Sequence, residues 1–287
     1  MRLDRRLREL FPGASGRAIK QWLELGRVRV AGHVVRRGDV VVGSADRVEL
    51  GPPPGPSFPP LLRLVFEDDD ILVIDKPPGL LTIATERERD RTAYRLLADY
   101  VGGHGGTPAK GRPRGPRLFI VHRLDRETSG LIVFAKSSHG KRRLQGQFEA
   151  RSVERRYVAL VEGIVSDARG RLRSRLRENR SLHVRQARSR AAGREAITDY
   201  RVLEHGNGTT LLELSLVTGR RGQIRAQLAT LGHPIVGDHA YGARHDPLRR
   251  LCLHATRLAF SHPQGHRVSF ESPAPAGFAR IAGTGRA

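Results

Sequence analysis

Apolar and polar positions change their period along this 287-residue chain, and each change marks a different kind of element. Across residues 2–10, Leu3, Leu7 and Leu10 recur at helical spacing with arginines on the opposite side, which predicts a short amphipathic helix. Ser15 stands where an N-cap belongs, and a second helix is expected to run to residue 25 and stop at Gly26. Short valine-rich pieces follow at 28–30, 34–35, 40–42 and 48–50, split by Gly32, Gly38 and Gly43, the pattern of brief strands and turns. GPPPGPSFPP at 51–60 sustains neither helix nor paired strand and reads as an extended, semi-rigid spacer. Longer apolar runs come next. Residues 62–67 and 71–75 form a hairpin around the acidic turn 68–70, and strands are expected at 118–121, 131–135, 153–161, 196–203 and 210–217. Helical spacing appears over 92–100, 138–150 and 223–231, the last stopped by Gly232. The segments LCLHATRLAFSHP and HRVSFESP read as closing strands. Residues 173–194 are basic and read as a hairpin, while 102–117, rich in Gly and Pro and without periodicity, read as a mobile surface loop. The order predicts an α+β protein. A small helical/β domain with its linker occupies 1–56, and a larger domain with a mixed, largely antiparallel sheet flanked by helices occupies 57–287.

Composition narrows the function. Lys and Arg number 51 against 29 for Asp and Glu, a formal charge of +22. The basic residues are spread along the chain, which favours a polyanionic partner met by an extended face over a membrane anchor. Aromatic residues make up only 5%, which argues against recognition by many stacked bases. The lone cysteine, Cys252, excludes an intramolecular disulfide and, between Leu251 and Leu253, reads as a buried thiol in a reducing compartment. No apolar stretch is long enough to cross a bilayer, and a cytoplasmic monomer is expected. His262 and His266 lack a CxxC or HExxH companion, so no metal site is expected.

The chemistry concentrates in LFIVHRLDRETSGLIVFAK, residues 118–136. Two strand-length apolar runs enclose a polar segment too short for a helix, and that segment carries Asp125 between Arg123 and Arg126. A carboxylate among arginines stays ionised at neutral pH and suits a nucleophile or a base. Taken alone, the same pattern also describes a structural salt bridge at a strand end. A protein-kinase loop is excluded, because Leu124 separates Arg from Asp and no Asn follows at the required offset.

HRLDRETSG with the following apolar strand resembles the signature of the RluA-like family of pseudouridine synthases. DDDILVIDKPPGLLT, VERRYVALV, TGRRGQIRAQLATLGHPIVGDHAYG and the two closing segments are similar to further blocks of that family, so the resemblance covers nearly all of 62–275. It implies that Asp125 is the catalytic residue, that Tyr157 lies against the target base, and that Arg225 pairs with the Asp125 carboxylate. The chain departs from the pattern at Gly222, where the family usually shows His. RLDRRL, SGRAIKQWLELGRVRVAGHVV and ADRVEL resemble the RNA-binding domain of the small-subunit ribosomal protein S-four type, with Gly16 where a Ser-Arg pair is usual. Lys20, Arg27, Arg29, Arg36 and Arg37 are its candidate RNA contacts, with a solvated basic surface as the plain alternative. Lys76 and Arg220 are candidate RNA contacts in the second domain, a structural turn being an equal alternative for Lys76, and Arg123 is the candidate to fill the stack vacated by a flipped nucleotide.

The reaction implied is isomerisation of uridine to pseudouridine within structured RNA. The N1–C1′ bond breaks, the base turns and C5 joins C1′, with no redox change and no cofactor. Flipping the nucleotide costs a few kcal/mol. Ribosomal RNA is the favoured substrate and transfer RNA an alternative. A non-catalytic RNA-binding or ribosome-assembly protein is the competing class. A glycosidase is disfavoured because Glu127, two residues from Asp125, is badly placed to face it across a substrate.

Overall fold

The computed structural model describes residues 1–51, 57–86, 88–103, 117–178, 184–186 and 193–283. Most of the expected loop 102–117 and part of the basic stretch 173–194 lie outside the described residues. The chain divides into two compact units, Met1–Ser57 and Phe58–Ala287.

In the first unit, α1 (Leu3–Leu10) and α2 (Gly16–Glu24) accompany a small antiparallel sheet of β1 (Val28–Val30), β2 (His33–Val34) and β3 (Val48–Leu50), in the order β2-β1-β3. The Ser15 hydroxyl accepts from the Ala18 amide and caps α2. Leu3, Leu7, Ile19 and Leu23, spaced for one helical face each, close over Val28 and Val42. The strand expected at 40–42 does not form. Val41 makes an isolated bridge to Arg2 and is 77% exposed, while Val42 turns into the core of the unit.

The second unit runs β4 (Arg63–Glu67), β5 (Ile71–Lys76), α3 (Ala93–Gly103), β6 (Phe119–Ile120), β7 (Ser129–Ala135), α4 (Ser138–Glu149), β8 (Glu154–Glu162), β9 (Arg169–Glu178), β10 (Val184–Gln186), β11 (Arg194–His205), β12 (Thr209–Leu216), α5 (Gln223–Thr230), β13 (Leu253–Ser261), β14 (Arg267–Glu271) and α6 (Ala276–Ile281). Its strands share one sheet, ordered β10-β9-β11-β12-β8-β13-β7-β5-β4, with β14 on β13 and β6 on β7. Every described pairing is antiparallel except β13 with β7, which is parallel and joins through two residue pairs, His254 with Ser129 and Ala255 with Gly130.

The near-continuous apolar runs of β5 and β7 follow from burial on both faces. Leu72, Ile74, Ile132 and Phe134 meet Ala93, Leu97 and Val101 of α3 on one side. Ile71, Val73, Leu131 and Val133 meet Leu144 of α4 on the other. In the half built from β8 to β12, alternation sorts the residues differently. Tyr157, Leu214 and Tyr200 face the core that contains Ile224 and Leu228 of α5. The opposite face carries ion pairs, among them Arg171–Asp199 at 2.6 Å, Arg173–Glu195 at 2.7 Å and Arg201–Glu213 at 3.1 Å. No helix among the described residues is long and apolar enough to cross a membrane.

Candidate active site

Asp125 lies in the loop between β6 and β7, and that loop is gripped by its backbone on both sides of the carboxylate. Leu124 is buried, and its amide donates to Thr82 Oγ1 at 3.2 Å while the hydroxyl donates back to its carbonyl at 2.8 Å. One residue after Asp125, the Arg126 carbonyl accepts from Lys76 Nζ at 2.9 Å. The same amine donates to the carbonyls of Pro77 and Leu80, each at 2.8 Å. The Thr128 amide turns back onto the Asp125 carbonyl at 3.2 Å. At the loop's exit Gly130 has φ +112°, and a Cβ there would collide with the Ala255 backbone, so the close parallel seam between β7 and β13 requires glycine. With the main chain fixed, the Asp125 side chain projects into a cleft of about 520 Å³ and keeps 20% of its surface exposed.

The position of Lys76 corrects an expectation. Of its two readings, a phosphate contact and a structural turn, the structure supports the second: it has no exposed surface and its three donors are all taken by carbonyls. Burial pushes its pKa down to about 7, against the pull of the Glu127 and Asp125 carboxylates. Lys76 is a pin for the Asp125 loop.

Arg225, in the first turn of α5, approaches from the other half of the sheet. Its Nη1 stands 3.9 Å from Asp125 Oδ2, an ion pair without a direct hydrogen bond. Its main partner is Asp238, which accepts from Nε at 2.8 Å and from Nη2 at 2.7 Å in a bidentate fork. The Asp238 side chain is 1% exposed. The guanidinium also lies 4.7 Å from the centre of the Tyr241 ring. Burial opposes the Arg225 charge, but the hydrogen bonds and charge of Asp238, with Asp125 behind them, raise its pKa above the ordinary value. Gly222 precedes α5 in the left-handed region at φ +56°, and a Cβ there would meet Tyr241 Oη at 3.0 Å. That crowding is the local reason for glycine where the family resemblance expects His.

Tyr157 of β8 forms the third wall and is buried. Burial, with the Asp125 charge adding and Arg155 opposing, pushes its phenol up to about 12, so the hydroxyl is protonated throughout the neutral range. Arg155 lies two residues earlier on the same strand face and also lines the cleft, with its guanidinium 5.7 Å from the Phe148 ring centre. His122 stacks on Phe148 at 4.6 Å and accepts from the Val133 amide, and burial together with Arg155 lowers its pKa to about 3. It serves as a neutral wall. Asp238 and Arg155 were not singled out from sequence. Arg155 carried a signal in its period-two spacing from Tyr157, whereas an Asp after Val-Gly reads as an ordinary turn residue.

Of the remaining candidates, Arg123 is exposed at the rim of the cleft, and Arg220 lines it while donating to the Glu195 carbonyl at 3.1 Å. In the first unit, Arg29 is exposed on β1, Lys20 pairs with Glu24 at 3.8 Å, and Arg37 pairs with Asp39 at 2.6 Å. Arg27 and Arg36 help to hold that unit together, donating to the carbonyls of Gly51 and Glu24. Cys252 is fully buried, and burial pushes its thiol up to about 12. His262 and His266 stack on each other at 4.7 Å, and no group of three or more possible metal ligands occurs among the described residues.

Comparison with known proteins gives the family. Residues 1–48 match the S4 domain model and residues 70–230 the RNA pseudouridylate synthase model. The ribosomal large subunit pseudouridine synthase D of Pseudomonas aeruginosa is 35% identical over 96% of this chain and 89% of that protein. Its namesake in Haemophilus ducreyi is 33% identical over 98% of this chain and 89% of its own length. Among solved structures, human RNA pseudouridylate synthase domain containing 1 superposes with a TM-score of 0.61 at 26% identity, covering 75% of this chain and 84% of that one. The chain belongs to the RNA pseudouridylate synthase family.

Proposed function

We propose that this protein converts specific uridines of large-subunit ribosomal RNA to pseudouridine, with Asp125, Tyr157 and Arg225 as its catalytic residues. The observation that carries the reading is the convergence of these three side chains, from a loop, a strand and a helix, on one cleft. The ribosomal substrate is supported by the names of the relatives, which match nearly the full chain, and by the S4 domain. A cytoplasmic monomer completes the reading, in keeping with a single buried thiol.

Within this reading a flipped uridine enters the cleft, and about 520 Å³ is ample for one nucleoside. Asp125 acts at the ribose as the N1–C1′ bond breaks. Arg225 orients that carboxylate at 3.9 Å and is itself held by Asp238. Tyr157 packs against the base. Its phenol is protonated, so it can take the proton leaving C5 only by handing its own on in the same step. Arg123 at the rim fills the vacated stack, and Arg155, Arg220 and Arg221 offer positive charge to the phosphates.

The test is to incubate purified protein with a large-subunit ribosomal RNA transcript and map its products. Site-specific pseudouridine is expected. Free uracil would identify a glycosidase, and tight binding without conversion a ribosome-assembly factor.

A further inference from the structure

A line of polar side chains runs beneath the Asp125 loop, outside the cleft. Arg250 Nη2 donates to Ser129 Oγ at 2.5 Å, and Ser129 Oγ lies 2.8 Å from His254 Nδ1. On the other side of the ring, His254 Nε2 is 3.2 Å from Ser272 Oγ, which donates to Asp75 Oδ2 at 2.5 Å. Arg63 closes the far end, donating to Asp75 at 2.7 Å and to Ser272 at 2.9 Å. Ser129, His254 and Ser272 are at most 3% exposed. The two ends fix the direction of the line, because a guanidinium only donates and a carboxylate only accepts. Ser272, whose hydroxyl hydrogen goes to Asp75, therefore accepts from His254 Nε2–H, and Ser129, which accepts from Arg250, has its own hydrogen to donate to His254 Nδ1. One form of the imidazole satisfies every partner, the neutral ring protonated at Nε2.

The line crosses a short parallel seam on the main path of the sheet. β7 and β13 meet through only two residue pairs, and one of them is Ser129 with His254. On the β7 side lies the loop carrying Asp125, and on the β13 side lie β8 with Tyr157 and α5 with Arg225. The register of this short seam sets where the carboxylate stands relative to the other two residues.

We propose that His254 is a positioning residue for the isomerisation, which through Ser129 locks the half of the sheet bearing Asp125 onto the half bearing Tyr157 and Arg225. The charged groups facing the ring agree with a neutral imidazole. Burial lowers its pKa, Arg250 and Arg63 lower it further, and Asp75 opposes them. A proton added at Nδ1 would face a serine hydroxyl whose own proton then has no acceptor in the line.

The inference rests on the proposed role of Asp125, and the experiment separates the two. Ser129→Ala, His254→Asn and His254→Phe are made in the full chain, and single-turnover conversion at saturating ribosomal RNA transcript is measured beside RNA affinity and folding. Ser129→Ala and His254→Phe should lose conversion by roughly 10- to 100-fold, the scale of a small misplacement of reacting groups, with RNA affinity unchanged. His254→Asn, whose amide oxygen can accept from Ser129, should recover much of the loss. Ring 15N signals of His254 should report the Nε2-protonated neutral form across the neutral pH range. Folded variants that all turn over at the wild-type rate, a parallel loss of affinity and turnover, or an Nδ1-protonated ring would each overturn the proposal. If Asp125→Asn is active, the reading of the cleft fails whatever His254 does. If Asp125→Asn is inert and the Ser129 and His254 variants are unaffected, only the positioning role fails.

Discussion

The two units of this chain use their basic residues in different ways. In Met1–Ser57 they stand in water: Arg29 is exposed, and the Arg37–Asp39 pair has side chains 79% and 48% exposed. Around the cleft they are enclosed. Arg225 keeps 18% of its side-chain surface and is forked onto an aspartate that keeps 1%, while Lys76 keeps none. Exposed charge is screened, loosely held and suited to a polyanion whose exact position does not matter. Enclosed charge is costly to bury and fixed in direction, and it sets geometry. On the proposed reading the first unit adds affinity and the enclosed charges of the second set the chemistry, so substitutions in the two units should fail differently.

After Asp125 itself, the largest effect is expected at Asp238. Asp238→Asn keeps an acceptor but removes the buried countercharge of Arg225, so conversion should fall on the order of 100-fold in a single-turnover assay while RNA binding is retained. Wild-type turnover in a folded Asp238→Asn protein would remove Arg225 from its proposed role.

A middling effect is expected at Lys76. Lys76→Met leaves three buried carbonyls without their donor, and denaturant unfolding should show a loss of about 1–3 kcal/mol. The pH dependence carries the sign. The folded pKa is depressed from 10.5 to about 7, so between these values the unfolded chain holds a proton that the folded chain has released. The contribution of this group to stability therefore rises as pH climbs from about 7 towards 10.5 and is flat below. The Lys76→Met protein should lack that climb, and an identical pH profile in both proteins would contradict the burial argument.

The smallest effect on chemistry is expected in the first unit. Replacing Lys20, Arg29 and Arg37 together by Gln should weaken binding to a long ribosomal transcript and flatten its dependence on salt, by up to about 0.9 in log–log slope for each phosphate that is no longer neutralised. Turnover at saturating RNA should not move. A fall in saturated turnover would erase the division between the units.

Much of this architecture was legible in the chain. The apolar runs at 71–75 and 131–135 became β5 and β7, and the Ser15 cap and the helices over 138–150 and 223–231 formed close to their expected limits. Local patterns carry such information because period and capping act within a few residues. What stayed hidden depends on partners far along the chain. Val40, Val41 and Val42 look like a strand, but Val41 pairs only with Arg2, in an isolated bridge. Lys76 before Pro77 and Pro78 looks like a surface turn until Arg126, fifty positions on, supplies a carbonyl. Asp238 lies thirteen residues from Arg225, and Ser129 lies 125 residues from His254. A resemblance singled out Asp125 as the candidate, while the contacts that hold its loop join residues far apart along the chain.

The central claim is that the carboxylate of Asp125 performs the conversion, and Asp125→Asn tests it most directly. The substitution keeps size and much of the hydrogen bonding while removing the anion. With folding checked by circular dichroism, RNA affinity should stay near wild type while pseudouridine formation in a single turnover falls to background. Conversion at a rate near wild type would contradict the account.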